Sequence, residues 1–194
     1  VGIALAGTGL GALLALPLAF LSTPKLLPRP VALLFRVLIV AIRSVPFLIY
    51  GLIFIRVSGP GAFTGVLTLA VCSIGLLSKR FTEAIEALDF RAYDALRAMG
   101  VSLLPRIRYA VLPQLAPALA SAVLYRFDVN IREASVLGLV GAGGIGAPLI
   151  FAMNQYAWND VSAIFLGFVL LVWLIDVGSA RLRTRRTAAA APGK

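Results

Sequence analysis

Residues 91–115 read RAYDALRAMGVSLLPRIRYAVLPQL, and the arrangement of the chain turns on this stretch. It sits between long apolar segments, yet it carries Arg91, Asp94, Arg97, Arg106 and Arg108. Asp94 to Met99 holds good helix formers and no breaker, which predicts a short helix. Gly100 can take the left-handed backbone that ends such a helix and turns the chain. A second short polar segment follows, and Leu112-Pro113 opens the next apolar run. A helix, a glycine turn and a further helix on the basic side of a membrane protein form a knob that a soluble partner can grip. The same residues also fit an ordinary amphipathic loop capping two spans, and the flanking chain has to decide.

Composition narrows the choice. The 194 residues are 60% hydrophobic and only 13% charged, with a mean hydropathy of +0.97, which excludes a soluble globule. The apolar residues come in runs long enough to span a bilayer, which takes roughly 20 residues of helix. The net charge of +10 reads as lysine and arginine retained on the cytoplasmic side, with no nucleic acid partner, because these residues cluster between the spans. Cys72 is the single cysteine and can form no internal disulfide; there is no histidine, the commonest metal ligand and general base. No metal site is expected. The chain starts at Val1 without an n-region or a cleavage site, so a trimmed chain is expected and a signal peptide is not.

Taken in order, Val1 to Pro24 carries no charge and can span, with Gly7, Gly9 and Gly11 giving it a smooth flank for close packing in lipid. Pro17 is a possible kink within it. Lys25 and Arg29 sit in a proline-rich basic loop. Val31 to Ile55 is interrupted by Arg36 and Arg43, which share one helical face and need headgroups, cytoplasm or a partner helix. Ser44-Val45-Pro46 allows a break there. A third span covers about Ala62 to Ser78, a fourth about Val111 to Tyr125 with a polar helical continuation to Glu133, and the last Val161 to Ile175. Arg181, Arg183, Arg185 and Arg186 follow it, and Thr187 to Lys194 is expected to be a disordered tail.

The loop over 79–110 carries six basic residues and is placed in the cytoplasm, as is the basic C-terminal end. An even number of crossings must separate the two, and the fourth and last spans supply two. The uncharged segment 134–159 is therefore read as re-entrant or external, which its five glycines between Gly138 and Gly146 suit. Counting backward puts Val1 outside, with a further span expected upstream. The organisation is thus one transmembrane domain over 1–186, with about five transmembrane helices in an all-α bundle.

Two constellations carry chemistry. Gly141-Ala142-Gly143-Gly144-Ile145-Gly146 matches G-x-G-x-x-G formally, but it follows a membrane helix and the next acid, Asp160, is 14 residues beyond Gly146. A dinucleotide site is rejected. These glycines serve close packing, a flexible element beside a translocation path, or both. On the polar end of the fourth span, Arg126, Asn130 and Glu133 share a face, while Asp128 and Arg132 form an i, i+4 pair on another. Such a cluster is costly near lipid unless it pairs or faces water. Two readings stay open: a self-satisfied ion-pair network, or an arginine that meets an anionic solute.

The opening stretch resembles the cytoplasmic loop of permease subunits of type I ABC importers, written E-A-A, three residues, G, nine residues, I-x-L-P. Asp94-Ala95-Leu96, Gly100 and Ala110-Val111-Leu112-Pro113 fall on that frame, with Asp for Glu, Leu for the second Ala and Ala110 for Ile. Tyr125 to Arg132, Val136 to Gly146 and Arg43-Ser44-Val45-Pro46 are similar to permeases of the phosphonate ABC importer family. The similarity covers most of Arg43 to Arg186, and Val1 to Ile42 matches in hydrophobicity only. The resemblance implies a MetI-like helical permease of the inner membrane that works as a homodimer, with its C-terminus cytoplasmic. It implies a cytoplasmic ATPase dimer docked on Asp94, Ala95, Gly100, Leu112 and Pro113, and a solute-binding protein outside. It places ATP and Mg on the ATPase and no cofactor on this chain, which has no P-loop of its own and is not an enzyme. The candidate path is Arg126, Asp128, Asn130 and Arg132 with Gly141, Gly143, Gly144 and Gly146. Phosphonate or a related phosphorus oxyanion is the expected solute, with methionine as the alternative. A secondary carrier would work without ATP, and an intramembrane lipid-headgroup enzyme would want clustered acids that Asp128, Glu133, Asp160 and Asp176 do not form.

Overall fold

Small side chains bring the first helix against the third span. In the computed structural model, which describes residues 1–26, 28–143 and 146–189, α1 covers Gly2–Leu21 and buries Ala4, Gly7, Thr8, Gly11, Ala15 and Ala19. These positions recur every three or four residues, so they form one stripe. The stripe lies along α4 (Ala62–Glu86). A Cβ on Gly11 would stand 2.4 Å from that of Ser73, so only glycine permits this approach. Gly9, about 200° around the helix from Gly7, meets nothing, so the smooth flank is narrower than the three glycines suggest. Pro17 lies within the helix.

The register of contacts gives the directions. Gly7 meets Leu69, Gly11 meets Ser73 and Ser22 bonds Thr82, so α1 and α4 run parallel. Between them, α2 (Arg29–Ser44) and α3 (Phe47–Ser58) form a pair bent by 84° at Val45-Pro46, the predicted break. Gly75 packs against Ile42 and Arg43, and Gly51 against Leu137 and Thr68, so the pair crosses once, opposite to α4. Arg36 turns to the end of the bundle, where it reaches Glu86 and the Ser22 carbonyl. With this pair, the described residues hold up to five membrane crossings in an all-α bundle.

Several boundaries move from their sequence expectations. α4 continues to Glu86 through the charged Lys79-Arg80, where the Lys79–Glu83 pair at 3.5 Å supports another turn. The first eight residues of the expected 79–110 loop are therefore helix. After α5 (Arg91–Ala98), the chain turns into α6 (Leu103–Arg106), a π turn over Ile107–Val111, and α7 (Leu112–Leu139), a helical run that starts well before Val111. Pro105 sits in the first turn of α6, where its missing N–H costs nothing. Residues 134–139 belong to α7 rather than to a re-entrant segment. α8 (Gly146–Asn154) spans only about 13 Å, too short to cross. α9 runs from Trp158 to Ala189, so residues 187–189, expected in a disordered tail, are helical; threonine and alanine continue the helix and no breaker occurs before Pro192.

Three helix ends close in the same way. Gly100, Gly141 and Tyr156 have φ of 77°, 92° and 55°, and each starts a paired set of amide-to-carbonyl bonds back into the last turn. At Gly100 these run from its own N–H to Arg97 and from Val101 to Leu96, both at 3.1 Å.

Two apolar clusters fill the bundle. One joins Ala15, Ala19, Leu77, Phe81, Ile85 and Leu115, and the other Ala4, Leu69, Ile131, Leu137 and Ala142. Between them on α1, α4 and α7 lies a polar layer of Thr8, Ser73, Arg126 and Asn130.

Candidate functional site

The polar layer is a closed network. Arg126 is 3% exposed and grips Glu133 with both prongs, at 3.2 and 2.8 Å, while its Nε donates to Ser73 Oγ at 3.0 Å. Asn130 Nδ2 donates to the same Ser73 oxygen at 2.9 Å and to Thr8 Oγ1 at 2.6 Å. Thr8 in turn donates to the Ala4 carbonyl. One polar seam therefore ties α7 to α4 and α1, the three helices that form the core. Asp128 pairs with Arg132 on the opposite face of α7, where the Arg132 side chain is half exposed. Both sequence-predicted pairings are present. Asp128 Oδ1 and Asn130 Oδ1 are buried without a donor among the described residues, at a cost of about 1–3 kcal/mol each.

Sequence reading missed Ser73 and Thr8. Their signal was weak: small hydroxyl residues inside apolar helices usually bond their own helix. Only the approach at Gly11 brings them within reach of α7.

The glycine segment sits beyond this seam. Gly141 and Gly143 turn the chain at positive φ, and Gly138 leaves room for the Gly146 amide, which a Cβ would meet at 2.7 Å. Gly143 packs on Ala62 at the head of α4. Gly144 lies outside the described residues. The glycines and the arginines are thus separate: Gly141 and Gly143 turn the chain just beyond the end of α7, whereas Arg126 and Arg132 lie within the helix.

At the other end of the bundle stands the knob. Tyr93 is buried with Ala110 and Val111 and is flanked by Phe20, Leu26 and Phe90. Arg106 stacks over the Tyr93 ring at 5.1 Å, and Lys25 over Phe90 at 4.4 Å. These anchors leave Asp94, Ala95, Gly100, Leu112 and Pro113 on the surface. Met99, Leu103 and Leu104 are also exposed, an apolar patch among arginines of the kind that protein partners cover. Tyr93 was not singled out from the sequence, although Phe90, Tyr93 and Leu96 form an apolar face at helical spacing.

Parallel and antiparallel spans around a buried polar seam, with an amphipathic knob at one end, define a polytopic helical membrane domain. The chain belongs to the family described as binding-protein-dependent transport system inner membrane component, whose model matches residues 7–185. The match begins far ahead of Arg43, so the first 42 residues carry more than hydrophobicity. The chain is 40% identical over 180 residues to the phosphite transport system permease protein PtxC of Stutzerimonas stutzeri, covering 92% of this chain and 66% of that one. It is 39% identical over 176 residues to the phosphate-import permease protein PhnE of Mycolicibacterium smegmatis, covering 90% of this chain and 32% of that one. To the putative cryptic phosphonate transport system permease protein PhnE2 of Escherichia coli it is 42% identical over 118 residues, 61% of this chain and 97% of that one. The chain thus spans two thirds or less of the first two relatives. In fold it matches an inward-facing MetNI methionine ABC transporter, with a TM-score of 0.80 at 20% identity over 95% of this chain and 91% of that one.

Proposed function

We propose that this chain is the membrane permease subunit of an ATP-driven importer and forms the path for a phosphonate, phosphite or related phosphorus oxyanion. The observation that carries the reading is the knob: α5, the Gly100 turn and α6 stand off the bundle on buried aromatic anchors, with charge and apolar surface free outward. Such a surface suits an ATPase subunit docked on Asp94, Ala95, Gly100, Leu112 and Pro113. The partners are a second copy of the chain, a cytoplasmic ATPase dimer that binds ATP and Mg, and an external solute-binding protein. The basic knob and the C-terminus are cytoplasmic. The part of segment 134–159 that follows α7 is external or re-entrant around the short α8, and Gly141, Gly143 and Gly146 flank the path. Names of relatives that transport phosphite, phosphate and phosphonate support the solute class.

In this reading Arg126, Asp128 and Asn130 shape the wall of the path rather than grip the solute, since Arg126 is already neutralised by Glu133. Arg132, half exposed, is the member of the set open to solvent. Coupling runs from ATPase closure through α5 into movement of α7.

The test is reconstitution with an importer ATPase subunit and a phosphonate- or phosphite-binding protein from the same organism. Phosphonate or phosphite uptake that needs ATP and both partners is expected. Uptake without the ATPase sinks the importer reading, and uptake driven only by methionine-loaded binding protein moves the solute class.

A further inference from the structure

Below the seam, α4 and α7 part to leave a cleft of about 590 Å³ lined by Arg80, Glu83, Ser121, Ala122 and Tyr125. A smaller cleft of about 220 Å³ shares Arg80, Ala122 and Tyr125 with it and reaches Arg126 and Glu133. The charges on these walls are not equivalent. Arg126 is bound by Glu133, and Glu83 is paired with Lys79 at 3.5 Å. Arg80 forms no ion pair or hydrogen bond among the described residues. Among the described residues it is the cleft cation that no carboxylate pairs with. Alanine at positions 84, 118 and 122 keeps the space around it open.

We infer that Arg80, with the Ser121 hydroxyl on the facing helix, forms a contact site for a phosphate-type oxyanion in the α4–α7 cleft. A guanidinium presents two parallel donors that match two oxygens of a tetrahedral phosphorus group. Arg126 has this geometry too, but Glu133 occupies it. Arg80 lies seven residues beyond Ser73 on α4, about 10 Å from the seam toward the basic end. There the cleft is open to solvent, so the contact is weak and reversible, as a site of passage requires. The same chemistry suits a transported anion or the phosphate of a lipid headgroup. The transported-anion version rests on the permease reading above; the binding of an oxyanion at Arg80 does not.

Two measurements test this, on the full chain. In neutral detergent, inorganic phosphate at millimolar concentration is expected to raise the Tm of the wild type. The shift should be lost in Arg80→Gln and largely kept in Arg80→Lys and in the neighbouring Lys79→Gln. An equal shift in the wild type and Arg80→Gln overturns the site whether or not the chain is an importer. The second measurement is ATP-driven uptake per assembled complex in reconstituted vesicles. A fall on the order of tenfold for Arg80→Gln in pure phosphatidylcholine identifies the transported anion. A defect confined to vesicles that contain phosphatidylglycerol identifies the headgroup, and wild-type uptake in both kinds overturns the proposal.

Discussion

Around Arg126 the bundle closes on its charges, whereas around Arg97 and Arg108 it leaves them open. Arg126 is buried, holds Glu133 with both prongs and shares Ser73 with Asn130. Arg97 and Arg108 stand on a short helix and a π turn, both exposed, over a floor of Tyr93, Ala110 and Val111. The difference lies in the surroundings rather than in the residue type. In a dry interior a guanidinium without a carboxylate is prohibitively costly, so the fold satisfies it. At the solvated end the same group costs little and remains available to another chain. Internal ion pairs therefore mark architecture here, while cations without an ion pair among the described residues stand at the solvated end.

The comparison can be broken most severely at Glu133. Glu133→Gln leaves Arg126 buried without its counter-charge and should lower stability by about 3–5 kcal/mol. Thermal unfolding in detergent would show it, and Arg126→Met combined with Glu133→Leu should recover most of the loss. A single variant as stable as wild type would mean that the seam does not hold the bundle.

A smaller effect is expected in the knob at Gly100, where φ is 77°. Gly100→Val forces a β-branched residue into the left-handed region, at about 1–2 kcal/mol. Since no part of the bundle packs on Gly100, the cost stays local. Membrane insertion and bundle stability should be kept, while partner-coupled uptake is abolished; normal uptake would remove the knob from coupling.

The smallest change is Arg106→Ala, which takes the cation off the Tyr93 ring. A loss of about 0.5–1 kcal/mol is expected, with little effect on the seam. A larger fall in Tm would place Arg106 with the structural arginines rather than the available ones.

The spans and the knob were legible because they rest on local signals: long uncharged runs, and a glycine at the one place where a short helix must turn. Arg126–Glu133 and Asp128–Arg132 were legible from helical spacing alone. What the spacing could not give is the partner across helices. Ser73 and Thr8 look like ordinary small residues, and only the Gly11 contact brings them to Asn130. Helix ends were misread for a related reason. Lys79, Arg80 and Glu83 suggested a loop by their charge, yet charge ends a span without ending a helix. Arg80 was counted there as one positive charge among six, and its place in a cleft depends on how α4 and α7 diverge.

One feature of α7 has a mechanical side. Leu103 to Gly138 is a single helical run of 36 residues, and Arg126 and Asn130 fasten it to Ser73 well away from its midpoint. With the fulcrum at Arg126, the arm toward the knob is roughly 35 Å and the arm toward the glycine turn roughly 18 Å. A tilt of about 10° would swing the long end by roughly 6 Å and the short end by roughly 3 Å the other way. With the pin off centre, any such tilt would give a wide stroke at the basic end and a short one beside the glycines.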